Sequence, residues 1–154
     1  MSAVFKYRWV AVPVLVTSAT IVTAALIGDR SAVDYGGGLD YLTRPIPIRW
    51  PISAALVVVS VFAYAASTTY FLRSVPDGEA RDPWARAWLL LTTAGLVLGI
   101  VYRVVTAGVI GVNIGGGFAF WVATPLSAYL VLRAGRIVQA AGRSHEPEPP
   151  AVPS

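Results

Sequence analysis

The chain has 154 residues, 56% hydrophobic and 13% charged, with a net charge of +4. A soluble domain carries about 25% charged residues, so too little charge is present here to cover a water-facing surface. The absence of cysteine excludes disulfides, iron–sulfur ligation and thiolate metal sites. The single histidine, His145, excludes a bis-histidine haem held by this chain alone.

Lys6 and Arg8 precede an uncharged run that lasts to Asp29. That run exceeds the roughly 7–15 apolar residues of a signal-peptide core, and no crisp A-x-A site follows. An uncleaved first transmembrane helix over residues 9–27 is therefore expected, with Pro13 near its first turn, where proline is best tolerated. The next segment, Gly28 to Arg49, is the longest outside the membrane and contains Tyr35-Gly36-Gly37-Gly38-Leu39-Asp40-Tyr41 and Arg44-Pro45-Ile46-Pro47-Ile48-Arg49. The second stretch is expected to be extended, because each proline fixes its own φ and restricts the residue before it.

A second uncharged run, between Arg49 and Arg73, predicts a helix over 51–72. The third helix, 83–111, starts with Asp82 as cap and Pro83 at its first position, and includes one charge, Arg103. The fourth, 118–138, contains Pro125, which removes a backbone hydrogen bond and is expected to kink it. Each run is close to the roughly 20 residues needed to cross a bilayer. The tail 144–154, SHEPEPPAVPS, has the proline-rich composition of a disordered segment. The expected fold is an all-α integral membrane protein, a four-transmembrane-helix bundle over residues 1–143.

Lys6, Arg8, Arg73, Arg81, Arg86, Arg133, Arg136 and Arg143 fall on one side of this threading, against Arg30, Arg44 and Arg49 on the other. The positive-inside rule places the first side, with both termini, in the cytoplasm. Trp9, Trp84 and Trp88 then mark the inner interface and Trp50 and Trp121 the outer one. The lipid bilayer explains the basic residues better than nucleic acid does. A cell-membrane location follows, and the arginine-rich, lysine-poor composition suits a bacterium with a GC-rich genome.

The segment from Val33 through Asp34 and Gly36, Gly37 and Gly38 to Leu42 aligns with the segment from Val112 through Asn113 and Gly115, Gly116 and Gly117 to Trp121. Both follow the first helix of a predicted hairpin. The pattern suggests two tandem helical hairpins related by an axis along the membrane normal. Both glycine triplets are expected in outer loops, where they permit tight turns.

Gly95, Gly99, Arg103, Ala107 and Gly111 recur every four residues and share one helix face. Gly95 and Gly99 form a small-xxx-small pair suited to close helix approach. Ala119, Ala123 and Ser127 form a matching stripe on the fourth helix. Ser53, Ser60 and Ser67 recur at heptad spacing on the second helix, and Thr17, Thr20 and Thr23 mark the first. Arg103 is the sharpest feature. A charge in the bilayer is costly, less so away from the centre, and its small-residue face directs it toward protein. Asp29, Asp34 and Asp40 are its candidate counter-ions. The residue serves either as a salt bridge fastening the third helix to the outer loop, or as a contact for an anion or substrate.

No Walker loop, HExxH or G-x-S-x-G pattern is present. The three outer aspartates lack the spacing of a calcium loop. No catalytic, cofactor-binding or metal-ligating residue is assigned. No predicted helix carries an acid, which counts against proton-coupled transport. The expected function is a non-catalytic accessory subunit or assembly factor, working with another membrane protein or with itself. The alternative is an oligomeric small-solute or anion channel or transporter using Arg103, and an intramembrane enzyme ranks third. A pore requires polar side chains converging on one axis. An accessory subunit requires a small-residue face left for a partner. Arg103→Ala is expected to insert as well as the parent chain, because its helix is already apolar enough. Its yield in the membrane fraction tests this, and a collapse would make Arg103 mainly structural.

Overall fold

The computed structural model describes residues 3–29, 46–73, 81–107 and 112–143, with backbone alone at 3–9, 81, 112–115 and 142–143. Four helices account for nearly all of them: α1 (Ala3–Ile27), α2 (Trp50–Arg73), α3 (Arg81–Thr106) and α4 (Val112–Arg143). Each is long and apolar enough to cross a membrane, and no strand occurs among the described residues. This is a multi-pass membrane protein by length and composition.

The helices differ from the sequence expectation mainly at their ends. α1 begins at Ala3, so Pro13 lies inside the helix rather than in its first turn. α3 begins at Arg81, which puts Asp82 in its first turn, where a carboxylate favours the helix dipole. It ends at Thr106 rather than at residue 111, with a tightened turn from the Ala107 N–H to the Val104 carbonyl. α4 begins at Val112, so Gly115, Gly116 and Gly117 are helical rather than a loop. Glycine costs about 1 kcal/mol per residue in a helix, but an unsatisfied peptide group in an apolar medium costs several, so the backbone bonds win. Helix α4 continues through Pro125, and its 32 residues reach about 48 Å at 1.5 Å per residue, beyond a core of about 30 Å. Gly36, Gly37, Gly38, Asp34, Asp40, Gly111 and the tail 144–154 lie outside the described residues.

The helices are not equally buried. α1 packs on α2 and α3, and α3 packs on α1 and α4. α2 approaches α3 over a shorter stretch, and among the described residues the backbone of α4 comes close to neither α1 nor α2. Thus α1 and α3 form the centre, with α2 and α4 flanking them. The centre depends on small residues. A Cβ on Gly95 would stand 2.5 Å from the Ala19 Cβ and 2.8 Å from the Val16 carbonyl oxygen. A Cβ on Gly99 would stand 2.6 Å from the Thr23 Cβ and 2.7 Å from the Thr20 carbonyl oxygen. Two of those obstacles are backbone, which cannot turn aside as a side chain can. The small-xxx-small pair is therefore filled from within the chain, by α1. Ser127 of α4 reaches α3 on a different side, where its hydroxyl meets the Ala94 carbonyl at 3.5 Å.

α2 and α3 run antiparallel along a seam at one end. Phe71 meets Trp84 edge-to-face with centroids 5.5 Å apart, Trp88 Nε1 donates to Thr68 Oγ1 at 3.1 Å, and the Tyr64 and Thr92 hydroxyls lie 3.4 Å apart. Leu15, Phe71, Trp84, Ala87, Leu91 and Ala134 form the core there. Trp84 is 4% exposed, and Trp88 is bonded to α2. Both pack within the bundle. Trp50 and Trp121 are exposed.

Gly99→Val is expected to force α1 and α3 apart and cost about 1–3 kcal/mol through overpacking. Gly135→Ala, where nothing lies within 4 Å of the added Cβ, should stay within about 1 kcal/mol of the parent. Unfolding midpoints in mixed micelles compare the two, and equal effects would remove the close approach as the basis of packing.

Candidate functional site around Arg103

The site is built on the C-terminal turn of α1. The last four carbonyls of a helix have no intrahelical donor. Gly28 ends the helix with φ of +80°, a left-handed conformation that glycine adopts without a Cβ penalty. Its N–H turns to the Ala25 carbonyl at 3.1 Å. The Ala24 carbonyl accepts from Arg103 Nε of α3, at 2.5 Å. The arginine thus closes a neighbour's helix end. Its positive charge also lies where the helix dipole is negative.

Arg103 reaches this carbonyl because Gly99, one turn earlier on the same face, lets the two backbones approach. Its Nη1 lies 3.7 Å from Asp29 Oδ1, and its guanidinium carbon lies 5.7 Å from the Tyr102 ring centroid. The Arg103 side chain is 19% exposed and that of Asp29 63%. A hydrogen bond from a charged donor is worth about 1.5–3 kcal/mol, whereas an ion pair this exposed is worth about 0–1 kcal/mol. The carbonyl is therefore the stronger anchor and the carboxylate a supplement.

Arg103 borders two cavities. One of about 230 Å³ runs past Ile27, Gly28, Ile100 and Ala107. The other, of about 250 Å³, lies toward α2, where Thr20, Ala24, Ser53, Leu56, Val57 and Tyr102 line it. Ala107 thus adjoins Arg103, while Ala119 and Ala123 are half-buried on α4. Ser127, fully buried, donates to the Ala123 carbonyl at 2.9 Å. Of the three candidate aspartates, Asp29 lies beside Arg103. Gly116 is buried, and a Cβ on Gly117 would meet nothing within 4 Å.

Three hydroxyls of α1 bond back to their own helix. Ser18 donates to the Val14 carbonyl at 2.6 Å, Thr20 to that of Val16 at 2.9 Å, and Thr23 to that of Ala19 at 2.7 Å. Thr106 does the same to Tyr102 at 2.7 Å. No group of three or more His, Asp or Glu side chains that could hold a metal occurs among the described residues. Sequence reasoning did not find the Ala24 carbonyl or the Tyr64–Thr92 and Trp88–Thr68 pairs. A backbone acceptor carries no residue signal, although the glycine that ends α1 could have pointed to an uncapped helix end.

Arg103→Ala is expected to lower stability by about 1.5–3 kcal/mol and Asp29→Asn by less than about 1 kcal/mol, measured as unfolding midpoints in micelles. The charge swap Arg103→Asp with Asp29→Arg should not restore stability, because a carboxylate cannot donate to the Ala24 carbonyl. Full recovery in the swap would make the ion pair, not the carbonyl, the anchor.

No protein-family model, no curated protein and no solved structure matches the chain.

Proposed function

We propose that this protein is a non-catalytic accessory subunit or assembly factor of a membrane complex, seated in the cell membrane with both termini in the cytoplasm. The observation that carries this reading is where the polar groups of the bundle are used. Arg103 closes the end of α1. The Ser18, Thr20 and Thr23 hydroxyls bond to carbonyls of their own helix, the Tyr64–Thr92 and Trp88–Thr68 pairs join α2 to α3, and Ser127 joins α4 to α3. These are the bonds of a scaffold. Among the described residues they are spent within helices and at the α2–α3 and α3–α4 contacts, whereas a pore lining would turn them to a common path.

The two-hairpin organisation is supported by register. Ala24 and Arg103 are 79 residues apart, and the same separation relates the Val16 carbonyl to Gly95 and the Thr20 carbonyl to Gly99. It is also the displacement that aligns the two glycine triplets in the sequence. Facing positions on α1 and α3 would then be equivalent positions of one repeated unit, set about an axis along the membrane normal.

A small-solute or anion channel or transporter is the second reading, favoured by the cavities beside Arg103. Purification of a tagged copy in mild detergent, with mass spectrometry of the intact assembly, separates the two. A fixed-stoichiometry complex with a different membrane protein is expected. A homo-oligomer that conducts anions in vesicles, with flux lost in Arg103→Gln, would overturn the accessory reading. For topology, the absence of native cysteines leaves no background to single-cysteine labelling. Ile46→Cys is expected to react with a membrane-impermeant maleimide on intact cells, and Arg136→Cys only after permeabilisation. The reverse pattern would invert the orientation.

A further inference from the structure

The seam between α2 and α3 runs through Phe71–Trp84, Thr68–Trp88 and Tyr64–Thr92. Its members move down α2 as they move up α3. Beyond Tyr64 the space between the helices is a cavity of about 250 Å³, bordered by Thr20, Ala24, Ser53, Leu56, Val57 and Arg103. Helix α1 forms its floor. Leu56, 43% exposed, lies at its mouth, where a bilayer would meet it. The cavity is apolar over most of its lining and carries a full positive charge at one end.

That charge has unused capacity. A guanidinium has five N–H donors. Among the described residues, Nε–H donates to the Ala24 carbonyl, and Nη1 stands 3.7 Å from Asp29, beyond hydrogen-bond range. Asp29 borders neither cavity beside Arg103, so an anion entering from the α2 side does not have to pass it. The depth is also suitable. Arg103 lies in the last turn of α3, beside the end of α1, and the exposed Trp50 opens α2 at the same end. Tryptophan is enriched toward the headgroup layer, where lipid phosphates lie, so an exposed tryptophan at this end is consistent with a phosphate within reach of Arg103.

We propose that the cleft between α1, α2 and α3 binds one anionic phospholipid, its phosphate on the free N–H groups of Arg103 and an acyl chain along Leu56 and Val57. The phosphate accepts charge-assisted hydrogen bonds from the planar fork of the guanidinium. The chain fills an apolar gap that would otherwise lack partner atoms. The lipid completes the α2–α3 contact where the protein seam stops. This site does not depend on whether the protein is an accessory subunit or a channel.

The test is titration of the detergent-solubilised full chain with a phosphatidylglycerol or a phosphatidylcholine of the same acyl chains, read by native mass spectrometry. One phosphatidylglycerol should be retained per chain at energies that strip phosphatidylcholine. Arg103→Gln should weaken retention about tenfold or more. Leu56→Trp, which fills the cleft and leaves the charge, should weaken it similarly. Arg133→Gln with Arg136→Gln, both distant on α4, should leave it unchanged. Inorganic phosphate at millimolar concentration should not displace the lipid, since it lacks the chain. Equal retention of the two lipids by the unmodified protein overturns the proposal without any variant. So does loss of binding in the Arg133/Arg136 variant alone, or displacement by inorganic phosphate, which would identify a headgroup-only anion site.

Discussion

The close approach of α1 and α3 is the contact on which the rest of the bundle depends. Inside a bilayer, lipid tails are as apolar as leucine, so helices associate by packing and hydrogen bonding rather than by escape from water. Gly95 and Gly99 remove the Cβ atoms that would hold the two helices apart. One turn further along α3, that proximity brings the Arg103 Nε within reach of the Ala24 carbonyl. A wider spacing would leave a charged side chain in an apolar region and a helix end without its donor, two costs that the present spacing removes together.

α3 has two interfaces, and both rely on small residues. α1 lies on Gly95 and Gly99, and α4 lies where Ala94 meets Ser127. α2 joins mainly through α1 and through the aromatic and hydroxyl pairs of its seam with α3. Among the described residues, α2 and α3 are joined at the end that holds Trp84 and Phe71, and a cavity separates them toward Arg103. Membrane-buried hydrogen bonds average about 0.6 kcal/mol, and an edge-to-face aromatic pair adds about 0.5–1.5 kcal/mol. Several such contacts at one end are enough to set the asymmetry.

The hydroxyls show the same constraint at finer scale. Ser18, Thr20, Thr23 and Thr106 all return their proton to a carbonyl of the preceding turn. An unsatisfied hydroxyl is costly where no water is present, and the nearest acceptor is always the residue's own helix. Polar residues in such helices therefore need not line a path. Their spacing along the sequence says that they are buried, not that they face one another.

The membrane class and the four helices were legible in the sequence, because uncharged runs of this length have few other uses. The pairing of Arg103 with Asp29 was also visible as one of three choices, since a charge among apolar helices needs a partner and the first outer segment supplies three carboxylates. Helix ends were less legible. The Gly115–Gly117 triplet has the composition of a loop and the structure of a helix, because the apolar medium penalises free peptide groups more than it penalises glycine. The partner of the Gly95–Gly99 face was not legible either, since a small-residue stripe is chemically silent about what fills it. Only the tertiary structure decided that α1 fills it, that Trp84 turns inward, and that the stronger ligand of Arg103 is a backbone carbonyl, a group every residue carries and no sequence pattern marks.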